Sequence, residues 1–123
     1  MYCLDTSAVI ELMYATQRGK RIMEIVDNGP LLVSSLTIYE LLYGMKDKEL
    51  EIINQFLNDV RIIPFDQKAA KQSSIIKRQL KARGLLINDL DILIAGICIT
   101  QNLILLTKDT DYSRIQDLQC IIL

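Results

Sequence analysis

Short apolar runs alternate along this chain with longer stretches of helical period. Tyr2–Leu4, Leu31–Ser34, Arg61–Ile63, Leu103–Thr107 and Cys120–Leu123 have the length and content of strands. Helices are expected between them: from Ser7 to Tyr14 behind Asp5 as cap, from Lys20 to Val26, and through the apolar run Leu36-Thr37-Ile38-Tyr39-Glu40-Leu41-Leu42. Asp47 to Asp59 sets Leu50, Ile53, Phe56 and Leu57 at helical spacing, and Gln67 to Arg83 places Ala70, Ser73, Ser74, Lys77 and Leu80 around a more polar helix. Ile92 to Ile99 is almost wholly apolar, the pattern of a central buried helix. Gly29-Pro30 is read as the stop of the second helix, with Gly44 and Gly84 ending two others.

Strands alternating with helices imply parallel pairing through right-handed crossovers. The expected architecture is α/β: a three-layer α/β/α sandwich with a mainly parallel central sheet and helices on both faces. No linker, repeat or low-complexity tract interrupts the pattern, so residues 1–123 read as one domain of ordinary size.

Composition narrows the chemistry. With no His, a His general base and every His-containing metal site are excluded. Cys3, Cys98 and Cys120 are far apart and embedded in apolar runs, as small buried hydrophobes are. Aromatic residues make up 6% of the chain and Trp is absent, which argues against an aromatic stacking platform for single-stranded nucleic acid. The net charge is −1, so any polyanion must be held by a local basic patch or by bound cations. Lys77, Arg78, Lys81 and Arg83 cluster late in one helix, where a solvated face is the ordinary explanation. The apolar stretches are all shorter than the roughly 20 residues of a membrane span, and the N-terminus lacks a basic segment before an apolar one. The expectation is a soluble, cytoplasmic protein with no membrane partner.

Four acids stand where β/α units join: Asp5, Glu40, Asp91 and Asp109. Each has an ordinary explanation. Asp5 suits a helix N-cap, Glu40 a solvent-facing helix position, Asp91 the first turn of a helix capped by Asn88, and Asp109 turn chemistry. Parallel topology nevertheless carries the C-terminal ends of all strands to one rim, where open α/β sheets bind ligands. Burying an unpaired carboxylate is costly, and two carboxylates about 5 Å apart repel by roughly 3 kcal/mol at an effective dielectric of about 20. A shared cation would offset both costs, and neutralising Asp5 should leave metal-free stability unchanged or raised.

Leu4-Asp5-Thr6-Ser7, Ser35 to Leu41, Asp91-Ile92-Leu93-Ile94-Ala95 and Leu106-Thr107-Lys108-Asp109 together resemble, in order and approximate spacing, the motifs of the PIN domain family and within it the VapC-type toxin ribonucleases. The resemblance implies that Asp5, Glu40, Asp91 and Asp109 hold Mg²⁺ or Mn²⁺ for hydrolysis of RNA phosphodiester bonds. It makes Thr6 and Thr107 supporting hydroxyls and leaves Asp89 and Asp111 as alternative ligands. It further implies a homodimer and a VapB-type antitoxin partner. Gly96 stands where the family often has Ala, a departure expected to affect helix packing rather than chemistry.

Two rivals remain open. An Asp-based phosphoryl-transfer domain would also gather acids at strand ends, but Asp5-Thr6-Ser7-Ala8 lacks the paired acids of receivers and the second Asp of the related phosphatases. A catalytically silent PIN-like scaffold would bind RNA or protein without cutting, and loss of one or two of the acids would be its mark.

Overall fold

The computed structural model describes residues 1–123. Its elements are β1 (Tyr2–Leu4), α1 (Thr6–Met13), α2 (Gln17–Val26), β2 (Leu31–Ser34), α3 (Ser35–Gly44), α4 (Leu50–Asn58), β3 (Arg61–Ile63), α5 (Gln67–Ala82), α6 (Asp89–Thr100), β4 (Ile104–Thr107) and β5 (Cys120–Ile122). Single 3₁₀ segments, Asp47–Glu49 and Thr110–Arg114, precede α4 and follow β4.

The five strands form one sheet in the order β3-β2-β1-β4-β5, and every pairing is parallel. Strand alternation divides the core between the two faces. Cys3 pairs with Leu32 and Leu105, and all three face a cluster completed by Ile76 and Leu80 of α5 and by Ile92, Ile94 and Ile97 of α6. Leu4, beside Val33 and Leu106, points the opposite way and packs with Ala8, Val9, Ile22, Val26 and Leu41. This is the three-layer α/β sandwich anticipated from the strand and helix alternation. The chain winds from β1 outward to β3 and then returns to the other side of β1, so the topological switch point lies between β1 and β4. A ligand site is expected at the carboxyl end of that pair.

The element boundaries shift in instructive places. α2 begins at Gln17 because Thr16 caps it, its hydroxyl accepting from Gly19 N at 3.1 Å. It ends at Val26 as expected, with Asp27 rather than Gly29-Pro30 making the stop. Asp27 and Asn28 take the left-handed conformation, with φ of 47° and 61°, roles that short polar side chains tolerate. Asn102, at φ 54°, similarly closes α6 and leaves Leu103 outside β4. The buried stripe of α5 is Ala69, Ser73, Ile76 and Leu80, with Ala70, Ser74 and Lys77 exposed. Of the α4 positions, Ile53 is buried while Leu50 is exposed. Cys3 and Cys98 are buried free thiols and Cys120 is half-buried. No helix is long and apolar enough to cross a membrane.

Gly96 is required by packing. A Cβ there would lie 2.1 Å from Ser73 Oγ and 2.8 Å from the Ala69 carbonyl oxygen. α5 and α6 therefore approach at the closeness that only Gly permits.

Candidate active site

β1 delivers Asp5 to the rim, where its backbone N–H bonds Leu106 O across the switch point at 3.2 Å. The residue caps α1: Oδ1 accepts from Ala8 N at 2.9 Å and from the Ser7 hydroxyl at 2.7 Å, while Oδ2 accepts from the Thr107 hydroxyl. Capping and site membership are thus combined in one side chain. Burial pushes the Asp5 carboxyl up from its ordinary range, and these hydrogen bonds oppose the rise.

β4 supplies the other half of the rim. Thr107, fully buried, donates to Asp5 and accepts from Asp109 N at 2.9 Å, so it locks two acids in one geometry. Asp109 caps the following 3₁₀ turn by accepting from Asp111 N at 2.9 Å. Lys108 between them turns away, its ammonium 2.6 Å from Glu11 on α1, which together with a bond from Thr16 holds the Glu11 carboxyl below its usual range.

Glu40 reaches the same place from α3 and accepts from the Thr6 hydroxyl at 2.7 Å. Asp91 arrives from the first turn of α6, where Asn88 caps the helix by accepting from Leu90 N at 2.8 Å. The hydroxyl of Tyr112, a fully buried side chain, donates to Asp91 Oδ1 at 3.1 Å. Asp91 is pushed up to about 6, first by desolvation and then by the negative charges of Asp109, Glu40 and Asp5, with the Tyr112 bond opposing.

Asp5, Thr6, Ser7, Glu40, Asn88, Asp91 and Asp109 line one cleft of about 340 Å³. The carboxylates do not converge into a preformed cage, since no three acidic side chains lie close enough to hold an ion by protein ligands alone. Their donor set is nonetheless all oxygen, which suits a hard divalent cation that keeps several of its waters. Such a cation would neutralise the charges of Asp109, Glu40 and Asp5 that, after burial, help to raise the Asp91 pKa.

The remaining sequence candidates lie apart. Asp89 is on the α5 side of its helix, 2.8 Å from Lys77 and 69% exposed, and does not line the cleft. Asp111 lies 3.5 Å from Arg114 and joins the cleft only through its backbone N–H to Asp109. Ser7 and Tyr112 escaped sequence reasoning. Ser7 stands inside the Asp5 motif, whereas nothing in the pattern marks Tyr112 as reaching back to α6. Tyr39 and Tyr43 form an exposed stacked pair on α3 with ring centroids 6.1 Å apart.

An apolar groove adjoins the cleft and shares Thr6 and Glu40 with it. Its walls include Ile10, Met13, Tyr14, Leu41 and Met45, with a volume of about 220 Å³.

Comparison with known proteins agrees with this architecture. The family model for the PIN domain matches residues 2–118. The chain is 34% identical over 118 residues to Ribonuclease VapC2 of Haemophilus influenzae, covering 88% of this chain and 86% of that protein. It is 27% identical over 124 residues to the tRNA(fMet)-specific endonuclease VapC of Shigella flexneri, covering 96% and 94%. Among solved structures, VapBC2 from Rickettsia felis bound to a promoter DNA fragment superimposes with a TM-score of 0.88 at 27% identity, covering 99% of this chain and 98% of that one. VapBC-1 from nontypeable Haemophilus influenzae gives 0.84 at 27%, covering 98% and 96%. Matched along nearly its whole length in sequence and fold, the chain belongs to the PIN domain family, in its VapC-type branch.

Proposed function

We propose that this protein is a Mg²⁺- or Mn²⁺-dependent endoribonuclease and the toxin of a type II toxin–antitoxin pair. The observation that carries the reading is the convergence of Asp5, Glu40, Asp91 and Asp109, from separate elements, on one cleft at the switch point. Relatives named as ribonucleases supply the substrate class. Asp5, Glu40, Asp91 and Asp109 would hold the cation, which when bound supplies Lewis acidity toward the phosphodiester and a water of lowered pKa.

The chain's own residues then have distinct tasks. Thr107 and Ser7 fix both oxygens of Asp5. Thr6 orients Glu40, and Tyr112 holds Asp91 Oδ1 from inside the core. These outer partners set ligand orientation, and losing such partners typically costs 10–100-fold in metal affinity or activity.

The phosphoryl-transfer alternative is weakened by the first motif. Asp5-Thr6-Ser7-Ala8 lacks the paired acids of receivers and the second Asp, two residues on, of the related phosphatases. The silent-scaffold alternative is disfavoured because all four acids are present at the cleft.

The partner would be a VapB-type antitoxin, as in the VapBC complexes. The apolar groove beside Thr6 and Glu40 suits an antitoxin segment whose end covers the carboxylates. The reading includes a homodimer, which light scattering tests directly. For activity, the test is incubation with a panel of tRNAs and unstructured RNAs in millimolar Mn²⁺ or Mg²⁺, beside calorimetric titration of the same cations. Metal-dependent internal cuts are expected. Intact RNA together with calorimetric silence would favour the scaffold instead.

A further inference from the structure

The basic charge of this chain is concentrated on one helix. Six of the fourteen basic residues and none of the fifteen acidic ones fall between Gln67 and Arg83, so the rest of the chain carries eight cations against fifteen acids. The net charge of −1 conceals this separation. It is also oriented. Ala69, Ser73, Ile76 and Leu80 bury one side of α5, and Lys71, Ser74, Arg78 and Lys81 follow i, i+3, i+7, i+10 spacing along the other. At about 1.5 Å per residue the stripe runs for about 15 Å. Ser74, Lys77, Arg78 and Lys81 line a shallow depression of about 300 Å³. Lys71, Arg78 and Lys81 form no ion pair, since the salt bridges are Lys77 with Asp89, Lys108 with Glu11 and Arg114 with Asp111.

The ridge connects to the acidic cleft. The 2.8 Å bridge from Lys77 to Asp89 joins it to the first turn of α6, between cleft residues Asn88 and Asp91. At its far end Arg83 donates to Arg114 O at 3.1 Å, and Arg114 donates to Leu86 O at 3.3 Å, tying the ridge to the turn that follows Asp109. The C-terminal half of the ridge is therefore tied to both elements that flank the carboxylates, the first turn of α6 and the turn after Asp109. The carboxylates themselves repel an anionic strand.

We infer that the solvent face of α5 is the surface that holds the RNA phosphate backbone, with Arg78 and Lys81 as its principal contacts. This rests on the ribonuclease reading above and deepens it by assigning affinity and chemistry to different surfaces. Each phosphate contact on a single strand contributes about 0.7 to the slope of log K against log salt.

The test compares full-length wild type, the double variant Arg78→Gln with Lys81→Gln, and a charge-matched control, Lys20→Gln with Arg21→Gln on α2. The α5 pair is exposed, so folding is checked by circular dichroism and expected to be unchanged. On a long RNA at 0.1 M salt, the α5 variant should raise KM about tenfold or more with kcat retained. Its salt slope should fall by about 1.4. The α2 control should match wild type, and a di- or trinucleotide substrate should not distinguish the three proteins. An unchanged KM and slope in the α5 variant, or an equal loss in the control, would overturn the assignment while leaving the ribonuclease reading intact. So would an α5 variant that loses only an acidic protein partner. A wild type that neither cuts nor binds RNA would sink both.

Discussion

The sharpest consequence of the cleft concerns Asp91 in metal-free protein. Its carboxyl titrates at about 6 instead of near 3.8, because it is partly desolvated and faces Asp109, Glu40 and Asp5. The folded state therefore binds a proton more readily than the unfolded state between those values. With a raised acid pKa, the proton-linked contribution to stability is greatest below about 3.8 and is lost as pH rises to about 6. The difference corresponds to at most about 3 kcal/mol. Because Asp91 is only half-buried, solvent screening reduces this to about 1–1.5 kcal/mol. Asp91→Asn removes the charge while its amide oxygen can still accept from Tyr112. In chelator, the variant should match wild type near pH 4 and exceed it by about 1–1.5 kcal/mol at pH 8, or about 3–9 °C in Tm for a domain of this size. Urea melts across that range provide the assay. A variant less stable than wild type at pH 8, or a gap independent of pH, would refute the electrostatic argument.

Other expectations follow from the same geometry. Mg²⁺ or Mn²⁺ should raise the unfolding free energy at pH 8 by about 2.7 kcal/mol at one hundred times Kd, and the affinity measured calorimetrically should weaken as pH falls through about 6 and protons compete for Asp91. Thr107→Val should leave Asp5 Oδ2 without its donor and Asp109 N without its acceptor. A loss of about 1–3 kcal/mol is expected in chemical denaturation, with Thr107→Ser largely restoring both stability and metal affinity. Gly96→Ala should cost about 1–3 kcal/mol through overpacking against Ser73 and the Ala69 carbonyl, while the metal affinity of the folded fraction is retained. A neutral Gly96→Ala would mean that α5 and α6 separate at little cost.

Much of this was legible in the pattern of the chain, and the exceptions have identifiable causes. Strands buried on both faces read as short apolar runs, so β1 and β2 were found at their bounds, and β3, at the sheet edge with Arg61 and Ile62 exposed, was found from its Ile62-Ile63 pair. Their parallel order then placed Asp5 and Asp109 on a common rim. The helix phase of α6 was not legible, because Ile92 to Ile99 is apolar nearly all round and offers no polar face to orient it. Asp89, two positions before Asp91, consequently stayed in view as an alternative ligand. In the structure one meets Lys77 and the other Tyr112. Asp5 was ambiguous for a different reason: one carboxylate both caps α1 and lines the cleft, so the choice between cap and site was a false one. The unchanged or raised metal-free stability expected for Asp5→Asn sets the relief of a buried charge against the hydrogen bonds to both Asp5 oxygens, so Asp91→Asn is the cleaner variant for the same measurement.

The central claim is that these carboxylates cut RNA through a divalent cation, and one comparison addresses it most directly. Wild type and Asp91→Asn are incubated with RNA in Mn²⁺, with and without chelator, and internal cleavage is followed. Cleavage by wild type that is abolished by chelator, and absent in a folded Asp91→Asn, is the predicted result. Undiminished cleavage by wild type in excess chelator, or by Asp91→Asn in Mn²⁺, would contradict it.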